Sequence, residues 1–308
     1  MPTSKYKGST TRYIRPFDPW SSPLCTCPFK YSLNPYTGCS HFCLYCYATS
    51  YIGRKPSTPK KNLLRIISKE LSKVDHRIPI NISTSTDPYP PLERHLMLTR
   101  NLLALMIPRG YRILITTKSD IVVRDADILS KGNAAVTVTI TTLEEKISSK
   151  LEPGAPSPQN RLEALRRLGK NGVPIGVRLD PILPYINDDP HDLRQLVEII
   201  AESGATFIVT STYKAKPDNL ARIMKAYPEL APRYHKLYKE EGVRVGGYWY
   251  LARKLRLRLL EPVFSTARKL GLEYAHCREG FTGKEYFNAG SCDGTHLIPE
   301  RIKVKQLV

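Results

Sequence analysis

Residues 34–48 read NPYTGCSHFCLYCYA. Three cysteines, Cys39, Cys43 and Cys46, fall there at C-x3-C-x2-C, with Gly38 just ahead of them and aromatics in the gaps. Thiolates are soft ligands that suit zinc, Cu(I) and the iron of iron–sulfur clusters. A structural zinc takes four ligands and ordinarily shows itself as paired C-x2-4-C knuckles. Only three cysteines cluster here, and no second knuckle follows nearby. Three thiolates on a four-iron cluster leave one iron open, which turns an electron store into a catalyst. A zinc loop would instead need His41 or a distant Cys as its fourth ligand. Spacing alone leaves both open.

The 308 residues suffice for one large α/β domain or two smaller ones, and 41% hydrophobic content is ordinary for a globular protein. No apolar run approaches a membrane span, and the first residues lack the apolar stretch of a signal peptide. Seven cysteines, three of them clustered, suit metal ligation in a reducing compartment, so the expected location is the cytoplasm. The 47 Lys and Arg against 28 Asp and Glu leave a net charge of +19. Such a balance attracts polyanions by counterion release, or else spreads over the surface as a solubility bias. Tyrosine, at 18 against 7 Phe, suits stacking on bases as well as packing.

Residues 1–30 carry Pro16, Pro19, Pro23 and Pro28 without helical period and read as an extended arm. A short strand over 31–36 is expected to deliver the cysteine loop. From there strands and helices alternate: helix 62–74, strand 78–83, helix 98–107, strand 111–116, helix 121–129 and strand 134–140. Ser157 reads as an N-cap with Pro158 at the first helical position, and this helix stops at Gly172. Strand 173–179, helix 192–201, strand 205–210 and helix 219–226 complete the series. Strand and helix in steady alternation predict an α/β fold with a parallel sheet and helices outside. Crossovers of one hand curl such a sheet into a barrel or partial barrel. The expected division is an arm over 1–30, a barrel over 31–226 and a basic, aromatic-rich C-terminal extension over 227–308.

The cysteine motif, with an aromatic just before its last Cys, resembles the signature of the radical S-adenosylmethionine (SAM) superfamily. Its wording is similar to the spore photoproduct lyase-like group, whose six-strand partial barrel also fits the strand–helix series. The resemblance implies a [4Fe-4S] cluster on Cys39, Cys43 and Cys46, with SAM chelating the open iron through its amino and carboxylate groups. It implies reductive cleavage to a 5′-deoxyadenosyl radical, hydrogen abstraction from a substrate, and an electron donor such as ferredoxin. SAM contacts carry over to Tyr45 at the adenine and to Ser83, Ser85 and Asp87 in the Thr86-Asp87-x-Tyr89-x-Pro91-x-Glu93 stretch. They also carry over to Lys118 after the third strand and Thr139 in the fourth. Arg178, alternating with apolar Val177 and Leu179 in the fifth strand, should face the barrel lumen and meet the SAM carboxylate, a substrate phosphate, or an acid such as Asp180. Tyr47 matches a tyrosine that relays hydrogen in the lyase. One departure concerns the reaction: the lyase has a hydrogen-donor Cys after its second strand, where this chain has Ser83, Thr84 and Ser85.

Beyond residue 225 the chain interleaves Tyr227, Tyr234, Tyr238, Tyr248, Trp249 and Tyr250 with Lys and Arg. Residues 252–270 read as a basic helix with Arg253, Lys254 and Arg256, kinked at Pro262. Basic residues among aromatics suit single-stranded nucleic acid, DNA or tRNA. Cys25, Cys27, Cys277 and Cys292 remain, the number that a second iron–sulfur cluster or a zinc requires. They would meet only if the two ends of the chain do. The rival reading is a zinc-stabilised nucleic-acid-binding protein without catalysis, which leaves Lys118 and the hydroxyls of 83–86 unemployed.

Overall fold

Apolar runs of the chain become the strands of one eight-stranded sheet, laid side by side in chain order. The computed structural model describes residues 11–17 and 22–303, so part of the expected arm, Pro19 included, lies outside the described residues. The strands are β1 (Arg15–Pro16), β2 (Tyr31–Ser32), β3 (Ile80–Ile82), β4 (Ile113–Thr117), β5 (Ala134–Thr139), β6 (Ile175–Ile182), β7 (Phe207–Thr212) and β8 (Glu273–His276). β1 runs antiparallel to β2, and each later neighbour is parallel. Crossovers run through α1 (Leu63–Glu70), α2 (Leu98–Met106), α3 (Pro158–Lys170), α4 (Pro190–Glu202), α5 (Pro217–Ala226) and α6 (Arg253–Lys269). No pairing joins β8 to β1 among the described residues, so the sheet is a partial barrel and not a closed one.

Local chemistry explains most of these boundaries. Ser157 accepts the Asn160 N–H at 3.2 Å and Pro158 opens α3. Asp189 caps α4 in the same way ahead of Pro190. The strand expected over 31–36 is shorter, because Pro35 has no N–H to donate to a ladder. β2 therefore ends at Ser32, and Tyr36–Thr37 pairs separately with Thr58–Pro59. The helix expected over 121–129 splits into a 3-10 run, Asp120–Asp125, and a single α-turn, Ala126–Leu129. Consecutive β-branched Ile121, Val122 and Val123 disfavour a regular helix there.

Alternation along the strands sorts the residues into two faces. Ile80, Ile82, Ile113, Ile115, Val136, Val138, Val177 and Leu179 are fully buried under the helices, against Leu165, Leu168, Val197 and Ile200 among others. The opposite face is polar toward the C-terminal ends of the strands, where the Thr116 hydroxyl lies 3.1 Å from that of Thr137 and 3.3 Å from Asn81 Oδ1. At the other end it is apolar: Leu114 and Ala135 pack on Ile298 and Leu297. Gly294 makes this plug fit. Its φ is +95°, and a Cβ there would sit 2.8 Å from the Thr137 methyl.

The segment 227–308, set apart by composition, supplies α6, β8 and this plug. α6 packs on α4, β7 and β8. It buries Arg256, Leu259, Leu260, Val263 and Ala267 and leaves Arg253, Lys254 and Arg258 exposed. β8 is not legible in the sequence because Glu273-Tyr274-Ala275-His276 is short and carries no apolar run. Among the described residues no helix is long and apolar enough to cross a membrane.

Candidate active site

The C-terminal ends of the strands open into a cavity of about 240 Å³. The loop 34–48 forms part of its wall and is held from several sides. Asn34 Oδ1 accepts the N–H groups of Thr84 and Ser85, both at 3.1 Å. Gly38 has φ +75°, and a Cβ there would meet the Pro56 carbonyl oxygen at 2.3 Å, so only glycine lets the two backbones pass. Cys39 N–H donates to Lys55 O at 2.9 Å, and Leu44 N–H to Leu151 O at 2.8 Å. From α5, Asn219 donates to Tyr45 O (3.0 Å) and Arg222 to Leu44 O (3.0 Å) and Cys46 O (2.9 Å). The cysteines thus sit on a braced frame.

Cys39, Cys43 and Cys46 all face the cavity. Burial pushes the Cys39 thiol up to about 11 and the Cys43 thiol further, so thiolates there need a cation to stay charged. A tetrahedral zinc with bonds of about 2.3 Å would set its sulfurs about 3.8 Å apart. Among the described residues only Asp189, His191 and Asp192, all exposed, gather three ligand atoms within 4.8 Å of one another. The three motif sulfurs are not all within that distance of one another, so they are not gathered as a single tetrahedral zinc would hold them. His41, the alternative fourth zinc ligand, turns Nδ1 toward Asp87 at 3.4 Å.

Of the residues expected around the cosubstrate, Tyr45, Ser83, Ser85, Asp87, Lys118, Thr139 and Arg178 all line this cavity, as does Tyr47. Their states differ. Ser83 Oγ and Thr86 Oγ1 are buried without a hydrogen-bond partner, which marks a place for polar atoms of a bound molecule. The Lys118 ammonium lies 5.5 Å from the Tyr45 ring centre. Burial works against its charge, but Cys43 and Glu152 outweigh it and hold its pKa above the ordinary lysine value. Ser85 accepts from the Tyr51 hydroxyl at 3.2 Å.

Two of these residues already have protein partners. Asp87 Oδ1 accepts from Thr117 Oγ1 (2.7 Å) and Tyr89 N–H (2.9 Å), and Oδ2 from Lys118 N–H (2.8 Å). It anchors the strand end that presents Lys118. Arg178 pairs with Asp180 at 2.8 Å. The Tyr45 hydroxyl donates to Glu152, which is ion-paired with Arg161 at 2.5 Å, and Arg161 also donates to Thr139 O at 3.1 Å. This buried chain fixes the Tyr45 ring.

The far wall is built from residues that no local signal in the sequence singles out. Arg278 lies over Tyr47 (4.8 Å) and Tyr248 (4.7 Å). Buried Glu279 binds Lys214 at 2.9 Å and Arg256 at 2.8 Å. Arg256 is thus an internal ion-pair partner and not part of a basic surface, because it falls on the face of α6 turned to the core. Tyr234, Tyr238, Tyr248 and Tyr250 are likewise at most 3% exposed. Their rings pack on one another and offer no free face to bases. The positive charge at 278 is plain in the sequence, but only the fold puts it beside Tyr47.

Residues 33–199, more than half of the chain, match the family model of the Radical SAM superfamily. An uncharacterized protein of Mycobacterium tuberculosis is 29% identical over 231 residues, 69% of this chain and 68% of that one. An uncharacterized protein of Methanocaldococcus jannaschii is 35% identical over 167 residues, 52% of this chain and 62% of its own. A doubly substituted spore photoproduct lyase, solved with bound AdoMet and dinucleoside spore photoproduct, superposes with a TM-score of 0.65 at 19% identity. That match covers 87% of this chain and 80% of the lyase, and it shows a shared fold.

Proposed function

Because this chain belongs to the radical SAM superfamily and is an enzyme of that class, we propose that it cleaves SAM at Cys39, Cys43 and Cys46 to act on a nucleic-acid substrate. When bound and reduced by a donor such as ferredoxin, the cluster and SAM supply a 5′-deoxyadenosyl radical that takes hydrogen from the substrate. The carrying observation is the meeting of three thiols of one braced loop with the unpartnered Ser83 and Thr86 hydroxyls and the Lys118 ammonium in one cavity. Lys118 holds the SAM carboxylate, a charge-assisted contact prepared by Asp87 gripping its backbone. Ser83 and Thr86 accept from the ammonium or ribose hydroxyls, with Ser85 and Thr139 beside them. The Tyr45 ring, locked through Glu152, flanks the adenine. Tyr47, covered by Arg278, is placed to relay hydrogen to or from the substrate.

Lys118→Ala is expected to weaken SAM binding tenfold or more while leaving the cluster absorbance intact, since losing one charge-assisted hydrogen bond costs about 2 kcal/mol. Equilibrium binding of SAM to reconstituted protein measures this, and unchanged affinity would remove Lys118 from the site.

Two facts support a nucleic-acid substrate: the net charge of +19, and the dinucleoside lesion bound by the lyase of the same fold. Affinity for single-stranded DNA or tRNA should fall steeply with salt. Reversing the exposed Arg253, Lys254 and Arg258 should flatten the slope of log K against log salt by about 0.7 for each phosphate that is no longer neutralised. Binding that is absent or independent of salt for both polymers would turn the reading to a protein or small-molecule substrate.

A further inference from the structure

Four cysteines lie outside the motif, and the fold brings them together. Cys25 and Cys27 precede β2 at one side of the sheet, whereas Cys277 and Cys292 follow β8 at the other. Cys27 Sγ lies 3.4 Å from Cys292 Sγ, and the Cys25 thiol hydrogen-bonds Cys27. Cys277 packs with Cys27 against Cys292 and is close enough to act electrostatically on both Cys25 and Cys292. Cys27, Cys277 and Cys292 line the same cavity as the three motif cysteines.

We propose that Cys25, Cys27, Cys277 and Cys292 hold a second iron–sulfur cluster in the wall of the substrate cavity. Four thiols from remote parts of the chain converge at a place that the described strands leave open, since β8 does not close on β1. A metal centre there joins the residues before β2 to the loops after β8 and so couples metal binding to local folding. The Lys30–Asp293 ion pair, buried on both sides, spans the same gap.

Cys27 and Cys292 stand 3.4 Å apart with no third sulfur within 4.8 Å of both, so the four do not form the regular tetrahedron of a zinc tetrathiolate, whose edges are all about 3.8 Å.

The test is metal and sulfide analysis after anaerobic reconstitution, with Mössbauer spectra. Wild-type protein should carry about eight irons and eight sulfides per chain, and Cys39→Ala/Cys43→Ala/Cys46→Ala should keep about four of each. Cys277→Ala/Cys292→Ala should also keep about four, with a spectrum that adds to that of the triple variant to give the wild type. Cys25→Ser/Cys27→Ser, checked for folding by circular dichroism, should match the Cys277/Cys292 pair. A folded triple variant free of iron would overturn the second cluster while leaving the SAM site standing. So would one zinc per chain at these thiols, or a Cys27–Cys292 disulfide in anaerobically prepared protein.

Discussion

Cys43→Ala is expected to lose iron from the motif site and all reductive cleavage of SAM. Cys43 is the most buried of the three motif cysteines, and the residue after it, Leu44, is held by Leu151 and Arg222. No neighbouring side chain replaces the missing thiolate: His41 faces Asp87, and the remaining four cysteines gather with one another. With two ligands the cluster has no stable seat. Quantifying 5′-deoxyadenosine by mass spectrometry after dithionite reduction checks this. Production at the wild-type rate would mean that the motif does not hold the reactive cluster.

The second large effect is on stability. Arg161→Ala should cost about 3–5 kcal/mol, because it leaves Glu152 charged and unpaired in a buried position. The double variant Arg161→Met/Glu152→Gln should recover most of that loss, since no uncompensated charge remains. The pH dependence has a definite sign. Burial alone would raise the Glu152 pKa, but Arg161 and Lys118 outweigh it and hold it below the ordinary glutamate value. The carboxylate therefore contributes stability above the unfolded glutamate pKa, and that contribution is lost as pH falls through the lower folded value. The shift in the anaerobic urea midpoint measures all of this. A single variant that loses less than about 1 kcal/mol would show that the pair is not a buried ionic brace.

What the sequence disclosed follows from how local the signals are. The cysteine spacing, the Ser157–Pro158 helix start and the alternation of apolar strands with amphipathic helices all act within a few residues, and each could be read directly. The candidate residues from Tyr45 to Arg178 share one cavity because strand ends of a parallel sheet converge. Most of their partners were not legible. Whether Asp87 ligates a cosubstrate or grips Lys118 depends on β4 lying beside the loop after β3. Arg178 and Asp180 sit two residues apart on one strand face, so their pairing was visible in period-2 alternation. Arg256 reads as basic surface until α6 is seen to turn that face inward, to Glu279. The tyrosines after residue 225 misled for the same reason, since composition cannot tell an aromatic core from a stacking platform. The convergence of the four remaining cysteines could be posed as a question but not answered, because it requires both ends of the sheet to meet.

The central claim is that the three motif cysteines hold a cluster that delivers an electron to SAM. The most direct measurement is a single-turnover assay of anaerobically reconstituted wild-type protein with dithionite and SAM, without added substrate, counting 5′-deoxyadenosine and methionine together with bound metal. Equal amounts of the two products from an iron-loaded, coloured protein are predicted. A colourless protein holding stoichiometric zinc at Cys39, Cys43 and Cys46, with SAM left intact, would contradict it.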